Sequence, residues 1–327
     1  MYSGALISGA FAGLIAAGII NGMDGAMGLR AWRWLFIIEG CITVVIAFPA
    51  IFILPNFPKT TKFLTEEERT LAMWRLEEDV GEKDEHGQGL LYGFKLAVRD
   101  IRTWILLIIV GCFVSAGSFT NFFPTVVKTL GYGNVETLLL TVPPYVLVVI
   151  TSFINSWHAD RTGERTFHIV IPASVGLAAF IIAVSTTNTA ARYFAMMIMP
   201  AGVYTGYVIC LTWISNSIPR PPAKRASAQA LVNALSNATQ IYASFLYQNR
   251  MGPRYVAAFI YNSVAMAVAI FFVFVLRGIL KRMNKALDEG KDVEGLRSAG
   301  FSISATDINP SSVNESNGEE KGFRYLY

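Results

Sequence analysis

Long apolar runs separated by short polar clusters make up most of this chain, and the runs have the length a helix needs to cross a bilayer. A spanning helix takes roughly 20 mainly apolar residues. Eight runs meet that length, at about 3–21, 35–54, 103–125, 136–156, 167–186, 192–214, 227–247 and 255–277. The stretch 103–156 divides in two because Lys128, Gly131, Gly133 and Glu136 supply a polar turn inside it. One long polar segment, 55–102, interrupts the series. There Thr65 stands three residues before Glu68, the spacing of a capping box. With glutamates in its first turn to complement the helix dipole, this predicts a short surface helix over 66–79. The glycine-bracketed run 81–89 that follows reads as a flexible linker. It lacks the preceding strand and the Gly-Lys-Ser/Thr ending of a nucleotide loop.

Composition sharpens this picture. Hydrophobic residues are 53% of the chain and charged residues 15%, against about 25% charged in a soluble domain. The predicted class is an all-α, multi-pass integral membrane protein in contact with the lipid bilayer. A net charge of +4 is too small and too scattered for nucleic-acid binding. Met1 leads straight into an apolar run with no basic lead, so the start reads as a membrane helix rather than a secretory signal. Cys41, Cys112 and Cys210 each lie in an apolar run without metal-ligand spacing. No cofactor or metal is expected. Neither His-Glu-x-x-His, Gly-x-Ser-x-Gly nor a pair of intramembrane aspartates is present, so an enzyme is not the expected class.

Loop charges predict orientation, because the side richer in Lys and Arg is cytoplasmic. That side carries Lys59, Lys62, Arg99, Arg102, Arg161, Arg165, Arg220, Lys224, Arg225, Arg277, Lys281, Arg282 and Lys285. The other carries Arg30, Arg33, Lys128, Arg192, Arg250 and Arg254. The central loop and both termini are therefore expected in the cytoplasm. Residues 298–327, rich in Ser, Asn, Gly and acids, read as a largely disordered tail. The long loop divides the spans into two and six. Carriers made of two six-helix halves place their longest cytoplasmic loop between the halves. The expected organisation is then 1–54 as the last two helices of a first half, 55–102 as the central loop, 103–277 as a complete second half, and 278–327 as tail. Four helices of such a carrier have no counterpart here.

The chemistry concentrates in one helix. Gln229, Asn233, Asn237, Gln240 and Ser244 recur at spacings that put them on one face. Leu231, Ala234, Leu235, Ala238 and Ile241 lie opposite. Amides in hydrocarbon need a partner helix or a wet path. Two readings stand: hydrogen bonds that glue helices together, or the wall of a substrate cavity. Asn121, Tyr145 and Tyr204 are candidate facing groups, Tyr145 just after the Pro143-Pro144 pair and Tyr204 between Gly202 and Gly206. The expected substrate-binding set is Asn121, Tyr145, Tyr204, Asn233, Asn237 and Gln240. Glu39 is the carboxylate well inside a span, and a structural ion pair with Arg33 is expected for it. His158 is expected to join the charged loop beside it.

Several stretches carry a family resemblance: MDGAMGLRAWRWLFIIEG at 23–40, LPNFPKTTKFLTEEER at 54–69, NFFPTVVKTLGYGNVETLLLTVPPYV at 121–146, HADRTGER at 158–165 and GPRYVAAFIYN at 252–262. They resemble the fungal allantoate permease group, of the anion:cation symporters within the major facilitator superfamily. The resemblance runs from residue 1 to about 290. It implies a helical bundle whose eight spans correspond to the fifth to twelfth of twelve. It also implies a secondary active carrier for a small organic anion of the nicotinate, pantothenate or allantoate type. Proton symport, alternating access, a plasma-membrane location and a monomeric state go with it. In HADRTGER, Asp160, Arg161 and Arg165 resemble the superfamily's charged loop, which implies a gating role. The other reading of a chain lacking four helices is a truncated, non-transporting remnant or a gene read from too late a start.

Overall fold

The computed structural model describes residues 2–55, 57–61, 64–80, 90–219, 221–252, 254–289 and 325–327, and all regular structure among them is helical. In chain order the α-helices are α1 (Tyr2–Gly22), α2 (Ala31–Ile53), α3 (Glu66–Val80), α4 (Leu90–Arg99), α5 (Ile101–Gly117) and α6 (Phe123–Lys128). They continue with α7 (Asn134–Leu140), α8 (Val142–Thr162), α9 (Thr166–Ser185), α10 (Thr189–Ser217), α11 (Pro222–Ala243) and α12 (Val256–Asp288). Six apolar stretches are long enough to cross a membrane: Ala31–Ile53, Ile101–Lys128, Val135–Thr162, Thr166–Ser185, Thr189–Ser217 and Val256–Asp288. These match six of the eight predicted spans. Of the other two, α1 is helical and contributes an apolar stretch, Phe11–Gly22. The seventh, α11, forms as a helix, but its row of amides leaves it too polar for that class.

The chain divides into two compact units, Ile15–Gln88 and Met1–Leu14 with Gly89–Tyr327. In the smaller unit, α2 buries none of its residues, and Val44, Val45, Ile46, Phe48 and Phe52 are all exposed. A helix that is apolar all round and exposed is suited to lipid. Asp24 prepares its start by accepting a hydrogen bond from the Ala31 backbone at 2.8 Å. The predicted capping box forms at the head of α3: Thr65 N–H donates to Glu68 at 3.0 Å, and Glu68 N–H donates to the Thr65 hydroxyl at 3.3 Å. Those bonds, backbone first and hydroxyl second, hold the Glu68 carboxyl below its ordinary range. Residues 81–89, read as a linker, lie outside the described residues.

The larger unit is a bundle with α5 and α10 inside it. Buried Phe113, Phe119, Phe180, Trp213 and Phe259 fill its centre. The helices approach closely where side chains are smallest. On α10, Gly202 lies against Gly176 of α9 so tightly that a Cβ at Gly202 would overlap the Gly176 backbone. The same device seats α4 on α11, where a Cβ on Gly93 would come within 2.6 Å of the Ala223 carbonyl carbon. Within the stretch expected as central loop, Leu90–Arg99 forms an amphipathic helix with Gly93 and Ala97 buried.

Two spans are broken. Between α5 and α6, Ser118–Phe122 tightens into a 3-10 turn just ahead of Pro124. Between α7 and α8 the break falls at Thr141, so Pro143 and Pro144 sit in the first turn of a new helix, where a missing N–H is harmless. Residues 290–324 of the expected tail lie outside the described residues, whereas Tyr325–Tyr327 pack against the bundle with Tyr325 buried.

Candidate functional site

The break in the α5–α6 span organises a belt of polar groups. A 3-10 turn inside a helix releases carbonyls from their usual bonds, and within a membrane these must be satisfied by neighbouring side chains or by water. Here the neighbours do it. Gln240 of α11 donates to the Val114 carbonyl at 3.2 Å, and Tyr204 of α10 donates to the Gly117 carbonyl at 3.2 Å. Thr120 donates to that same carbonyl at 2.8 Å, and its hydroxyl lies 2.8 Å from the Tyr204 hydroxyl. On the far side of the turn, Asn121 donates to the Gln240 carboxamide oxygen at 3.3 Å. A ring of three hydroxyls closes the belt. Ser115 donates to Tyr261, Tyr261 to Tyr242 and Tyr242 back to Ser115, at 3.0, 2.7 and 3.3 Å.

Of the predicted site residues, Asn121, Gln240 and Tyr204 therefore meet around one backbone irregularity. Tyr145 stands beside them, its ring edge-on to Phe123 at 6.4 Å. Asn233 and Asn237 belong to the same stripe but behave differently. Asn237 donates to the backbone and side-chain oxygens of Asn233, both at 2.8 Å, and both residues are exposed. Their hydrogen bonds among the described residues thus stay within α11. Gln229, by contrast, reaches Ser215 of α10 at 2.7 Å. The buried face of α11 is neither the amide row nor the face opposite it. It is a third stripe of Lys224, Ala228, Val232 and Ser236.

The expected Glu39–Arg33 ion pair does not form: it is not among the ion pairs of the described residues, and the Arg33 guanidinium lies 5.3 Å from the Trp32 ring centroid. Six positions apart on one helix, the two side chains leave in different directions. In the charged loop, Arg165 bonds Asp160 at 2.8 Å. Arg161 turns away over Trp157, 5.5 Å from the ring centroid. His158 lies 2.7 Å from His168, which in turn reaches Glu164 at 3.1 Å. His158, Glu164 and His168 edge a cleft of about 670 Å³ between α8, α9 and α10. Its walls include the largely exposed Ile154 and Ile171. That open apolar cleft has the character of a lipid-facing surface, and the polar belt is the better candidate for recognising a polar solute.

Three groups of side chains escaped the sequence reading. One is the hydroxyl ring, whose members come from three helices. Another is the Glu164–His168 pair. The third is a buried charge cluster at the head of α5. Asp100 bonds Arg102 at 2.7 Å and Lys224 at 2.6 Å, and it caps the helix by accepting from the Arg102 backbone at 2.9 Å. Arg102 also donates to the Ser217 carbonyl at 2.9 Å. Burial would raise the Asp100 pKa, but the hydrogen bonds and charges of Arg102 and Lys224 outweigh it and hold the carboxyl down to about 2. Lys224 and Arg102 figure in the sequence only as loop cations, and no local signal pairs Lys224 with Asp100.

Comparison with known proteins agrees with this architecture. The Major Facilitator Superfamily profile matches residues 1–244. The MFS transporter prlL of a fungal species is 36% identical over 217 residues, which are 65% of this chain and 43% of that protein. The MFS-type transporter efuF of Hormonema carpetanum is 30% identical over 305 residues, 90% of this chain and 59% of that protein. The chain spans about half the length of the curated relatives it matches. Among solved structures, a crystal structure of the D-xylose-proton symporter shares the fold at 17% identity with a TM-score of 0.57, over 82% of this chain and 60% of that one. With the profile matched across most of its helices, the chain belongs to the Major Facilitator Superfamily.

Proposed function

We propose that the chain serves as a membrane carrier for a small organic anion, and that the polar belt with Asn233 and Asn237 lines the path of the solute. The observation that carries this reading is the division within the amide row. Gln229 and Gln240 reach across to other helices, as packing glue does. Among the described residues Asn233 and Asn237 bond only along their own helix, and both stand exposed, so packing there does not account for them. Neutral amides and phenols offer donors to a carboxylate without fixing it too tightly to leave. A ureide or a vitamin-like carboxylate suits such a wall. In this reading Asp160 and Arg165 lock one conformation of the loop between α8 and α9, and Arg161, held over Trp157, adds its charge to the same loop. Proton coupling, a plasma-membrane location, cytoplasmic termini and a monomeric carrier belong to the same proposal, as does a second-half assignment for 103–277. The names of the relatives, all transporters, support carriage rather than catalysis.

The test is uptake of labelled nicotinate, pantothenate and allantoate by cells lacking their own carriers, with and without a protonophore. One of the three should accumulate, collapse of the proton gradient should abolish accumulation, and Asn233→Ala and Asn237→Ala should each lower uptake at least tenfold. Full uptake by both variants would remove these residues from the solute path.

A further inference from the structure

At the loop end of the larger unit, the short segment Tyr325–Tyr327 is held by side chains from several helices. Asn284 of α12 reads one residue at both of its backbone groups. Tyr325 N–H donates to the Asn284 carboxamide oxygen at 2.9 Å, and Asn284 Nδ2 donates to the Tyr325 carbonyl at 2.9 Å. Trp213 of α10 donates its indole N–H to the Leu326 carbonyl at 2.8 Å. The Arg165 backbone N–H, at the head of α9, donates to the Tyr327 carbonyl at 3.1 Å. Cations meet both rings: Arg102 lies 5.6 Å from the Tyr325 centroid, and Lys281 lies 5.2 Å from that of Tyr327.

Trp213 is fully buried and Asn284 is 9% exposed. An indole N–H and a carboxamide at such depth are costly without a mate, on the order of 1–3 kcal/mol for each orphaned group. Here the backbone of Tyr325 and Leu326 supplies the mates, and a side chain of arbitrary shape would not reproduce the paired donor and acceptor that Asn284 meets. Reading through backbone leaves the middle position tolerant, while cations set over ring faces favour aromatic residues on either side of it. The Tyr327 carbonyl joins the segment to the residue whose side chain pairs with Asp160.

We propose that this end of the bundle is a peptide-binding site selective for an aromatic–x–aromatic segment. Tyr325–Tyr327 fill it in cis, and occupancy clamps the Asp160–Arg165 loop. Release of the segment frees that loop, so the site regulates the motion of the charged turn.

The test uses the full chain in detergent and needs no transported solute, so its outcome is independent of the carrier reading. A thiol-specific label is applied to Leu326→Cys, with the unsubstituted chain giving the background from Cys41, Cys112 and Cys210. Hydrogen exchange is followed at the Arg165 amide in parallel. Asn284→Ala and, separately, Tyr325→Ala should each raise the labelling rate at least tenfold and speed exchange at Arg165. Tyr325→Ala alters a residue outside the helices, so its result stands even if Asn284→Ala loosens the bundle. Labelling equally fast with and without these changes overturns the site. Faster labelling with unchanged exchange at Arg165 overturns the clamp.

Discussion

The charge cluster at the head of α5 and the amide row of α11 are both polar intrusions into an apolar bundle, yet they are built on opposite terms. Arg102 and Lys224 are buried, the Asp100 side chain is 7% exposed, and the carboxylate answers two cations. Asn233 and Asn237 are exposed and, among the described residues, answer only each other. A buried charge cannot be left partly satisfied, because the desolvation of even one ion exceeds what a single weak contact returns. A neutral amide carries a much smaller penalty and can be left facing outward. The difference teaches which polar groups are free to serve a solute. The charges are committed to the fold, while the amides remain available.

Breaking the committed cluster should have the largest effect. Asp100→Asn leaves two cations buried side by side, and the expected loss is about 3–5 kcal/mol, read as a large drop in the thermal unfolding midpoint in detergent. If the midpoint hardly moves, the cluster is wetter than its geometry indicates. Acid should reach the same cluster more gently. The Asp100 carboxyl titrates at about 2 in the folded chain against an ordinary 3.8, so its contribution is full above about pH 4 and fades as pH falls through about 2. The loss expected from that shift is about 2 kcal/mol, and it should be missing from Asp100→Asn.

Moving to the belt, Gln240→Leu removes a bond to the Val114 carbonyl and one to Asn121. About 1 kcal/mol of stability should go with it, the scale of interhelical hydrogen bonds in membranes, again read from the unfolding midpoint. Asn233→Ala should move stability least, by less than about 0.5 kcal/mol. Under the proposed function the same change removes most of the uptake. A variant that unfolds easily yet transports normally would invert the comparison between glue and wall.

Much of the fold was legible because hydropathy, helix caps and turn residues act locally. The turn after Lys128 and the Thr65–Glu68 capping box both formed where the sequence places them. The amide stripe was legible for the same reason, since a spacing of three and four positions fixes a helix face whatever the helix packs against. What that stripe meets was not. Gln229 and Gln240 bond to neighbouring helices, whereas Asn233 and Asn237 stand exposed and bond along α11, a split no periodicity encodes. The Glu39–Arg33 expectation failed because closeness in sequence is not closeness on a helix.

By itself the sequence determined a chain of long apolar helices, the turn after Lys128, one amide-bearing face and its resemblance to a superfamily of carriers. These follow from side-chain hydrophobicity and backbone preference, which each segment carries alone. Only the tertiary structure decided that Asp100 meets Lys224, that the α5–α6 break draws in Tyr204 and Gln240, and that Tyr325–Tyr327 find a seat beside Trp213 and Asn284. Each of these joins segments far apart in the chain, and such pairings are set by close packing at Gly176–Gly202 and Gly93–Ala223 and by the need to satisfy every buried polar group.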